Sequence, residues 1–587
     1  MTISWFPRNP RPTLEKPPLA ERRRSVTRLA SLAIWTMCAV VLAACASPRS
    51  APPGAAIADG GQPVAKKKIV AGVPGDPAIF SNMLARAGAG NAGGVGEIEK
   101  LLNTGLSVVD DRGALRPALG ESVPTTENGG WQVLPDGRMV TTWKIRPGVT
   151  WHDGAPFTSA DLVYTAKVLM DPELPEFKEK AFASIDSVEA PDASTIVVNW
   201  KRPFIEGNTM FSGNRGGAPQ PKHLLETTYL DNKDAYRSMS HWVDDYVGVG
   251  AFKLKDFVRG DHITLVANDA FALGRPRTDE IEIKIVPNTQ ALSANIMGGN
   301  IDMTLTDVAL DSIVQILNNG WNGKAAGELD DPVGAWPQFL DPSPAVILET
   351  PFRRALVHAL DRDLMQQNLM YGMSRVADTP MWPQDPMFRY VEPRLVKYPY
   401  DQRQAIELIS GLGYTQGPDR MFRDPAGQPL KVELRATPGR EQYGKSALVA
   451  ADMWQAVGVA VDLNLMPLAL NNDSEYRQTR PAFEVTGMKY DIARFTSKEV
   501  PTAANRYIGD NRMRYANPQL DEWADRFYIT IPESERGEVA AQAFHLLSDQ
   551  VIMINFFYDI RQSVQANKLL NVSRPYGWNG HEWDIGT

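Results

Sequence analysis

Two segments of the chain match patterns typical of nucleotide-binding loops. Gly439 to Ser446 reads G-x-x-x-x-G-K-S, in which backbone amides and a lysine would hold phosphate groups. Gly88 to Gly93 reads G-x-G-x-x-G, as in dinucleotide-binding turns. The first spacer carries three long side chains and Tyr443 where the backbone would have to wrap closely around phosphate, and the second match lies in a Gly/Ala-rich run that follows no predicted strand. We interpret both as matches without a nucleotide site.

Side chains that could hydrolyse a bond or hold a metal do not form a recognisable motif. The chain contains no G-x-S-x-G and no H-E-x-x-H sequence. Its seven histidines are scattered, at positions 152, 223, 241, 262, 358, 545 and 581. We therefore predict no catalytic residue, no metal and no cofactor. A secreted enzyme with an unrecognised site is the alternative from another functional class.

The N-terminal region has the pattern of a secretion signal. Arg22, Arg23, Arg24 and Arg28 precede an uncharged run of 16 residues, LASLAIWTMCAVVLAA, which is short for a bilayer span of about 20. The run ends in Leu-Ala-Ala before Cys45, which resembles a bacterial lipobox. That resemblance implies cleavage before Cys45, lipidation of its thiol and anchoring of the protein to the outer face of a membrane or in the periplasm. An uncleaved anchor and a twin-arginine route are the alternatives.

The composition of the rest of the chain argues for a folded, acidic, exported body. The formal net charge is −8, and it becomes −13 without the first 44 residues, which hold seven Lys/Arg and two Asp/Glu. An acidic chain with no basic cluster argues against nucleic acid as a partner. The other cysteine, Cys38, lies in the apolar run, so the mature chain forms no internal disulfide. A Pro/Gly/Ala-rich tether follows Cys45 and ends at residue 65.

Hydrophobic periodicity and turn residues predict an α/β body from Lys66 onward. Thr158 and Asp161 form an acidic variant of a capping box, Thr350-Pro351 begins a long helix through residue 370, and residues 115–121 are predicted to be a loop. The predicted strands and further helices are strands 66–73, 139–145, 195–200, 281–286, 301–305, 430–436, 459–466 and 551–558, two strands around the turn at 259–261, and helices 401–410 and 446–457.

Five ordered segments resemble the family 5 extracellular solute-binding proteins, the oligopeptide- and dipeptide-binding receptors of ABC importers. The most specific is WKIRPGVTWHDGAPFTSADLVYT, which begins at Trp143. The others are LLNTGLSVVDDRGALRPALGESV, VGVGAFKLKDFVRGDHITLVAND, TPFRRALVHALDRDLM and YPYDQRQAIELISGLGY. Together they extend over nearly the whole of the predicted mature chain.

The resemblance implies an α/β, class II periplasmic-binding-protein-like fold. Two lobes would be joined by a hinge, with a subdomain inserted in the first, as in peptide-binding members. The implied divisions are signal sequence 1–44, tether 45–65, lobe I in segments 66–109, 247–335 and 551–587, inserted subdomain 110–246 and lobe II 336–550.

The resemblance also suggests residues that would line the cleft between the lobes. In peptide-binding members an aspartate of the second lobe pairs with the peptide amine. Asp491 is the nearest match, although a loop or capping role is the alternative and the neighbouring Lys489 and Arg494 differ from the usual surroundings. The remaining candidates, by position, are Gly75, Asp76, Pro77, Phe80, Trp382 and Met488, each of which could instead serve packing.

The expected function is therefore capture of a solute outside the cytoplasm for an importer. The family resemblance favours a peptide ligand, a monomer, and ABC permease and ATPase subunits as partners. An oligosaccharide or another non-peptide ligand remains open. So does a sensory or chaperone-like lipoprotein with no transporter.

Overall fold

The computed structural model describes residues 66–85, 94–174, 177, 182, 184–213, 217–438, 440–471 and 473–586. The predicted signal sequence, the tether, Cys45 and the glycine pattern at 88–93 lie outside this part of the chain. No described helix is both long enough and apolar enough to cross a bilayer.

The strands follow one another along the whole body. They are β1 Lys68–Val73, β2 Ser107–Val109, β3 Leu115–Pro117, β4 Trp131–Val133, β5 Met139–Lys144, β6 Ile185–Asp192, β7 Thr195–Trp200, β8 Phe252–Val258, β9 His262–Ala267, β10 Glu280–Ile285, β11 Met303–Thr304, β12 Gly323–Pro337, β13 Thr415–Gln416, β14 Phe422–Arg423, β15 Lys431–Ala436, β16 Ala460–Leu465, β17 Phe483–Gly487, β18 Ile554–Ala566, β19 Leu569–Leu570 and β20 Asp584–Ile585.

The helices alternate with these strands. They are α1 Asn82–Leu84, α2 Val95–Leu102, α3 Ser159–Leu169, α4 Lys222–Asp231, α5 Lys233–Arg237, α6 Thr289–Met297, α7 Leu310–Asn318, α8 Thr350–His358, α9 Arg362–Leu369, α10 Phe388–Val391, α11 Gln402–Gly411, α12 Glu441–Ala456, α13 Ser474–Gln478, α14 Pro518–Ile529 and α15 Glu533–Asp549.

One mixed sheet passes through both predicted lobes. Among the described residues its order is β16-β15-β17-β12-β18-β11-β1-β10-β9-β8. The long strands β12 and β18 lie at its centre and pair antiparallel, from Gly323 opposite Ala566 to Ala335 opposite Ile554. At one end β18 pairs with β11, and at the other end β12 pairs with β17. The ladder shifts register twice between Leu329 and Gly334, so it is irregular at its centre.

Separate hydrophobic cores lie on the two sides of this central pair. One core joins β1, β9 and β10 to α2 and the C-terminal segment, around Phe252 and Trp583. Another joins β15, β17, α8 and α12 around Trp454. A third core fills the inserted subdomain, whose sheet has the order β4-β5-β7-β6 and packs around Trp143 and Trp200. Because each unit buries its own apolar residues, the two-lobed α/β fold with an inserted subdomain is confirmed.

The capping box predicted at the start of α3 is confirmed. The Thr158 amide donates to Asp161 Oδ2 at 2.9 Å, and the Thr158 side chain accepts from the backbone of the same residue, Asp161. Asp161 Oδ1 also accepts from the Lys222 amide at 3.1 Å. One carboxylate therefore begins α3 and fixes the start of α4 beside it.

Several predicted element boundaries are wrong. The helix expected over 350–370 is two helices, because Asp361 accepts from the Leu364 amide and caps a new one. Glu349 occupies the capping position of α8, and Thr350 is its first residue. Residues 115–117 form β3 instead of a loop, and the C-terminal strand begins at Ile554 instead of residue 551.

Candidate functional site

Strand direction places the carboxyl ends of both lobes' strands opposite one another. β1, β10 and β11 are parallel and run along the direction of β12, from the lobe I end towards the lobe II end. β15, β16 and β17 run the opposite way. Side chains at the carboxyl ends of strands in open α/β sheets are the usual ligand contacts. The middle of the β12/β18 pair is therefore the floor of a cleft between the two sets of strand ends.

Charged side chains occupy this floor. Arg440, which precedes α12 in lobe II, donates through Nη1 to Asp559 of β18, and its Nη2 lies 3.5 Å from Asp330 Oδ2 of β12. Arg561 Nε lies 3.2 Å from the same Asp330 oxygen. The side chains of Asp330 and Asp559 are only 7% and 6% exposed, so their charges depend on these arginines for neutralisation.

The electrostatics of this set are those of mutually dependent buried ions. Burial raises the pKa of Asp559 in spite of the nearby Arg440 guanidinium. Burial alone would lower the pKa of Arg440, but the negative charges of Asp559 and Asp330 raise it well above its ordinary value. Removal of either partner would leave an uncompensated charge in the floor.

A second group of charges continues the floor on the lobe I side. Arg574 donates through Nη2 to Asp307 Oδ1 at 3.0 Å, and its Nε lies 3.8 Å from Glu328 Oε1. The side chains of Asp307 and Glu328 are 42% and 29% exposed, yet burial raises the pKa of both. Carboxylates that water reaches but that the protein also desolvates lie in a recess. The pKa of Lys100, in the last turn of α2, is raised by the charge of Glu328 and lowered by that of Arg574.

Asp331 and Trp382 meet on the lobe II side of the floor. Trp382 Nε1 donates to Asp331 Oδ1 at 3.2 Å, and the Trp382 ring lies 6.3 Å from the ring of Tyr490. Burial, together with the charge of Asp330, raises the pKa of Asp331 to about 6. The half-buried Trp382 thus lies against Asp331 of β12. Its contact with a ligand stays a prediction.

Asp491 lies just beyond the carboxyl end of β17. Its Oδ1 accepts from the Ala493 amide at 3.0 Å, which caps a short 3-10 helix, and also from the Tyr528 hydroxyl. The carboxylate is half-buried, and it therefore has a structural role in this state of the protein. Met488 is fully buried, and its amide donates to the Pro332 carbonyl at 3.1 Å. The ligand contacts predicted for Asp491 and Met488 stay predictions.

The loop after β1 is fastened to its own lobe. Asp76 accepts from the Gly260 amide at 3.0 Å, and the Pro77 carbonyl accepts from Arg259 at 2.9 Å. Phe80 is fully buried against Tyr246 and Phe257, whereas Gly75 is half-buried and Asp76 is exposed. The loop therefore belongs to the lobe I side of the cleft. Ligand contact by Gly75, Asp76, Pro77 or Phe80 stays a prediction.

Glu441 to Ser446 of the P-loop match form the start of a helix rather than a phosphate-binding loop. α12 begins at Glu441, five residues earlier than predicted, and includes Gly444, Lys445 and Ser446. Lys445 Nζ lies 3.0 Å from Glu441 and 3.2 Å from Asp311, and Ser446 is fully buried. Because Glu441 to Ser446 already follow the helix, they do not form the loop of successive backbone amides that wraps around a phosphate in a P-loop.

Sequence reasoning missed the charged floor itself. Lys100, Asp307, Glu328, Arg440, Arg561 and Arg574 are far apart in the sequence, and each by itself is an ordinary polar residue. The pairing of β12 with β18 brings Glu328 opposite Arg561, and that register is set by the fold. The nearest sequence signal is the Asp330-Asp331 pair, and an acidic pair by itself is usually a solvated loop feature.

Two α/β lobes with parallel strands that end at a shared central strand pair form the fold of a class II solute-binding protein. The chain matches the model of the bacterial extracellular solute-binding proteins, family 5, middle region, over residues 115–495. It therefore belongs to that family.

Among similar proteins, the oligopeptide-binding protein AppA of Bacillus subtilis is 24% identical over 76% of this chain and 77% of its own. The structure of AppA with a nonapeptide matches with a TM-score of 0.64 at 19% identity, over 89% of this chain and 100% of that one. NikZ from Campylobacter jejuni, in complex with Ni(L-His), matches with a TM-score of 0.67 at 21% identity, over 88% and 99%.

Proposed function

We propose that this chain is a peptide receptor of an ABC importer, tethered outside the cytoplasmic membrane by lipid on Cys45. Family membership together with one structural observation supports the proposal: strands of both lobes end on the charged middle of β12 and β18. A guest held there contacts both lobes at once, so its binding energy favours their closed arrangement. The permease and ATPase subunits would receive the closed, loaded form.

Receptor function requires that ligand bind the closed state much more tightly than the open state. A shift from 1:99 to 99:1 in favour of the closed state needs about 5.5 kcal/mol of differential binding. Ion pairs and hydrogen bonds with the floor, and packing against Trp382 and Tyr490, provide suitable contacts on lobe II. The protein would release the same molecule that it bound, unchanged.

The proposal is tested by ligand-dependent unfolding of the purified protein. Short peptides at 100 times their dissociation constant should raise the free energy of unfolding by about 2.7 kcal/mol. Mass spectrometry of the mixture should recover the peptide intact. Peptide turnover would instead support the secreted enzyme, and stabilisation by oligosaccharides without any by peptides would replace the proposed ligand.

Asp491 is proposed to pair with the α-amino group of the peptide. We expect both N-acetylation of the peptide and the Asp491→Asn substitution to weaken binding roughly tenfold or more, because each removes one charge of a desolvated pair. Tyr528→Phe is the matched control, since it removes the hydroxyl bonded to Asp491 and keeps the carboxylate. Normal binding of acetylated peptides to the parent protein and of free peptides to Asp491→Asn would eliminate this role.

The lipid anchor is tested separately from the ligand. Metabolic labelling with a radioactive or clickable fatty acid should label the parent chain and leave a Cys45→Ser variant unlabelled. The parent should partition with membranes, because two or more acyl chains give stable anchoring. Equal labelling of the two chains would rule out Cys45 as the lipidated residue.

A further inference from the structure

Lys100 stands apart from the other cations of the cleft floor. Arg440 contacts Asp559, Arg561 contacts Asp330, and Arg574 contacts Asp307. Among the described residues, Lys100 makes no ion pair within 4.0 Å, although the charge of Glu328 acts on it. Burial lowers the pKa of Lys100 in spite of its acidic neighbours Glu97 and Glu328. Such an ammonium group would be stabilised by an anion at its tip.

Arg574 has unused donors in the same recess. Its side chain is 7% exposed; within the described part of the chain Nη2 forms a hydrogen bond to Asp307, and the guanidinium carbon lies 5.2 Å from the centre of the Tyr576 ring. Nε and Nη1 are buried and have no hydrogen-bond acceptor in the described part of the chain. A buried guanidinium with unsatisfied N–H groups gains from any acceptor that reaches it.

The backbone segments that carry these two cations are in contact. A Cβ on Gly577 would lie 2.5 Å from Lys100 Cβ, so the segment carrying Arg574 packs directly against the last turn of α2. The Arg574 charge also contributes to the lowered pKa of Lys100. The recess thus contains Lys100, Arg574 and Arg561 with Asp307 and Glu328, and the charges of Glu97 and Asp330 also act on this group.

We propose that Lys100 and Arg574 bind a carboxylate group of the ligand on the lobe I side of the cleft. A carboxylate is a planar anion that can accept from a guanidinium edge and an ammonium group at once. The proposal rests on the proposed receptor function and assigns an acidic group to its ligand. The carboxylate belongs either to the carboxyl terminus of a peptide or to an acidic side chain.

The first test compares three probes by calorimetry with the full chain. They are pentaalanine with a free carboxyl terminus, the same peptide as the carboxyl-terminal amide, and the amide with glutamate at the central position. We expect amidation to weaken binding roughly tenfold or more, since it removes a charge-assisted pair. If the glutamate peptide regains the affinity lost on amidation, the site binds a side-chain carboxylate. If it does not, the site binds the terminal carboxylate. Equal affinity for all three overturns the proposal.

Variants then assign the effect to Lys100. Lys100→Met should lower the affinity for the free-acid peptide to that for the amide. The affinity for the amide itself should be the same in the variant and in the parent. Lys100→Arg should restore most of the difference. Lys431→Met is the control, because Lys431 is an exposed strand residue in lobe II that pairs with Asp462 at 3.1 Å. An undiminished acid-to-amide difference in Lys100→Met contradicts the proposal.

A readout without peptide separates this subsite from the receptor function. Reductive methylation with ¹³C-formaldehyde makes each lysine visible by NMR, and Lys100→Arg identifies the Lys100 signal. Its pKa should lie below those of the exposed lysines and should rise when acetate, but not acetamide, is added. If no peptide binds, the receptor proposal fails and the acetate titration alone decides the subsite. If the pKa measured from the Lys100 signal does not change with acetate, the proposed carboxylate subsite is overturned.

Discussion

Asp331 is a carboxylate for which ionisation opposes folding. Burial holds its pKa near 6 in the folded protein, whereas about 3.9 is ordinary for an unfolded chain. Between those values the folded state binds more protons than the unfolded state, so the free energy of unfolding falls as the pH rises through that window. Ionisation of Asp331 therefore lowers the free energy of unfolding above about pH 6 and has no effect on it below about pH 4.

We expect Asp331→Asn to stabilise the protein near neutral pH. The amide keeps an oxygen that can accept from Trp382 and removes the buried charge. The gain should be on the order of 1–3 kcal/mol at about pH 7.5 and should vanish near pH 3.5. Urea unfolding at the two pH values measures it, with Asp231→Asn on the exposed end of α4 as control. A stability difference that does not change with pH would contradict this origin.

Glu484 is a buried acid on which two arginines depend. Its Oε1 accepts from Arg477 at 2.6 Å and from Thr437 at 2.7 Å, and its Oε2 lies 3.6 Å from Arg480. Glu484 and Arg480 are fully buried. This ion cluster fastens the ends of β15 and β17 to α13.

Neutralising Glu484 should therefore destabilise lobe II strongly. We expect Glu484→Gln to lower the free energy of unfolding by about 3–5 kcal/mol, because two guanidinium groups lose their anion in a dry environment. The matched control is Glu538→Gln, whose exposed pair with Arg394 should be worth less than about 1 kcal/mol. Chemical denaturation at neutral pH compares the two variants, and equal losses would show that burial is not the cause.

At the scale of elements, a turn of the inserted subdomain is joined to the start of β8 through His152. The Gly248 amide donates to His152 Nδ1 at 3.2 Å, so the proton of the neutral ring is on Nε2, which lies 3.1 Å from the Gly250 carbonyl. Burial lowers the pKa of His152 to about 4. Protonation of Nδ1 would place its N–H against the Gly248 N–H and break this hydrogen bond.

This connection predicts acid sensitivity. A histidine with a lowered pKa contributes stability that is complete above about pH 6.5 and is lost as the pH falls towards 4. For His152 the loss should be on the order of 3 kcal/mol. His152→Gln should be less stable at neutral pH and should lose less on acidification than the parent, by urea unfolding across this range. His262→Gln, at the half-buried first residue of β9, serves as control, and identical pH profiles of parent and His152→Gln would contradict the assignment.

Elements with strong local patterns could be predicted, and the central pair could not. The sequence of β7, TIVVNW, is rich in β-branched and aromatic residues, and Thr158 with Asp161 gives an explicit helix start, so both were predicted correctly. β12 reads GKAAGELDDPVGAWP, with charges, glycine and proline that locally disfavour a strand. Its long pairing with β18 overrides that preference, because β18 supplies the backbone hydrogen bonds. The burial of β12 side chains is then set by the fold and not by a local alternation of residue types.

The division between lobes is equally a property of the whole molecule. The predicted boundary at 335 falls inside β12, and the one at 550 falls shortly before β18. Both lobes also meet away from the sheet, where the Ile205 amide of the inserted subdomain donates to the Tyr528 carbonyl of lobe II at 3.1 Å. Closure around a guest would therefore bend the β12/β18 pair near its two register shifts.

Ligand should protect that central pair. Hydrogen exchange should slow in the middle of β12 and β18 when a bound peptide is present, because the closed state removes the opening motions that expose their amides. β6, in the inserted subdomain, should change little and provides an internal control. Slowing spread evenly over all strands would indicate general stabilisation instead of closure.

The shared central pair also limits how the molecule can be dissected. A fragment consisting of residues 338–553 would contain β15, β16 and β17 but neither of the long strands, so β17 would lose its neighbour along Phe483–Gly487. Bare backbone donors and acceptors beside an apolar core are a template for self-association. We therefore expect lobe II expressed alone to aggregate, whereas a version in which a hairpin supplies the missing strands would remain dispersed.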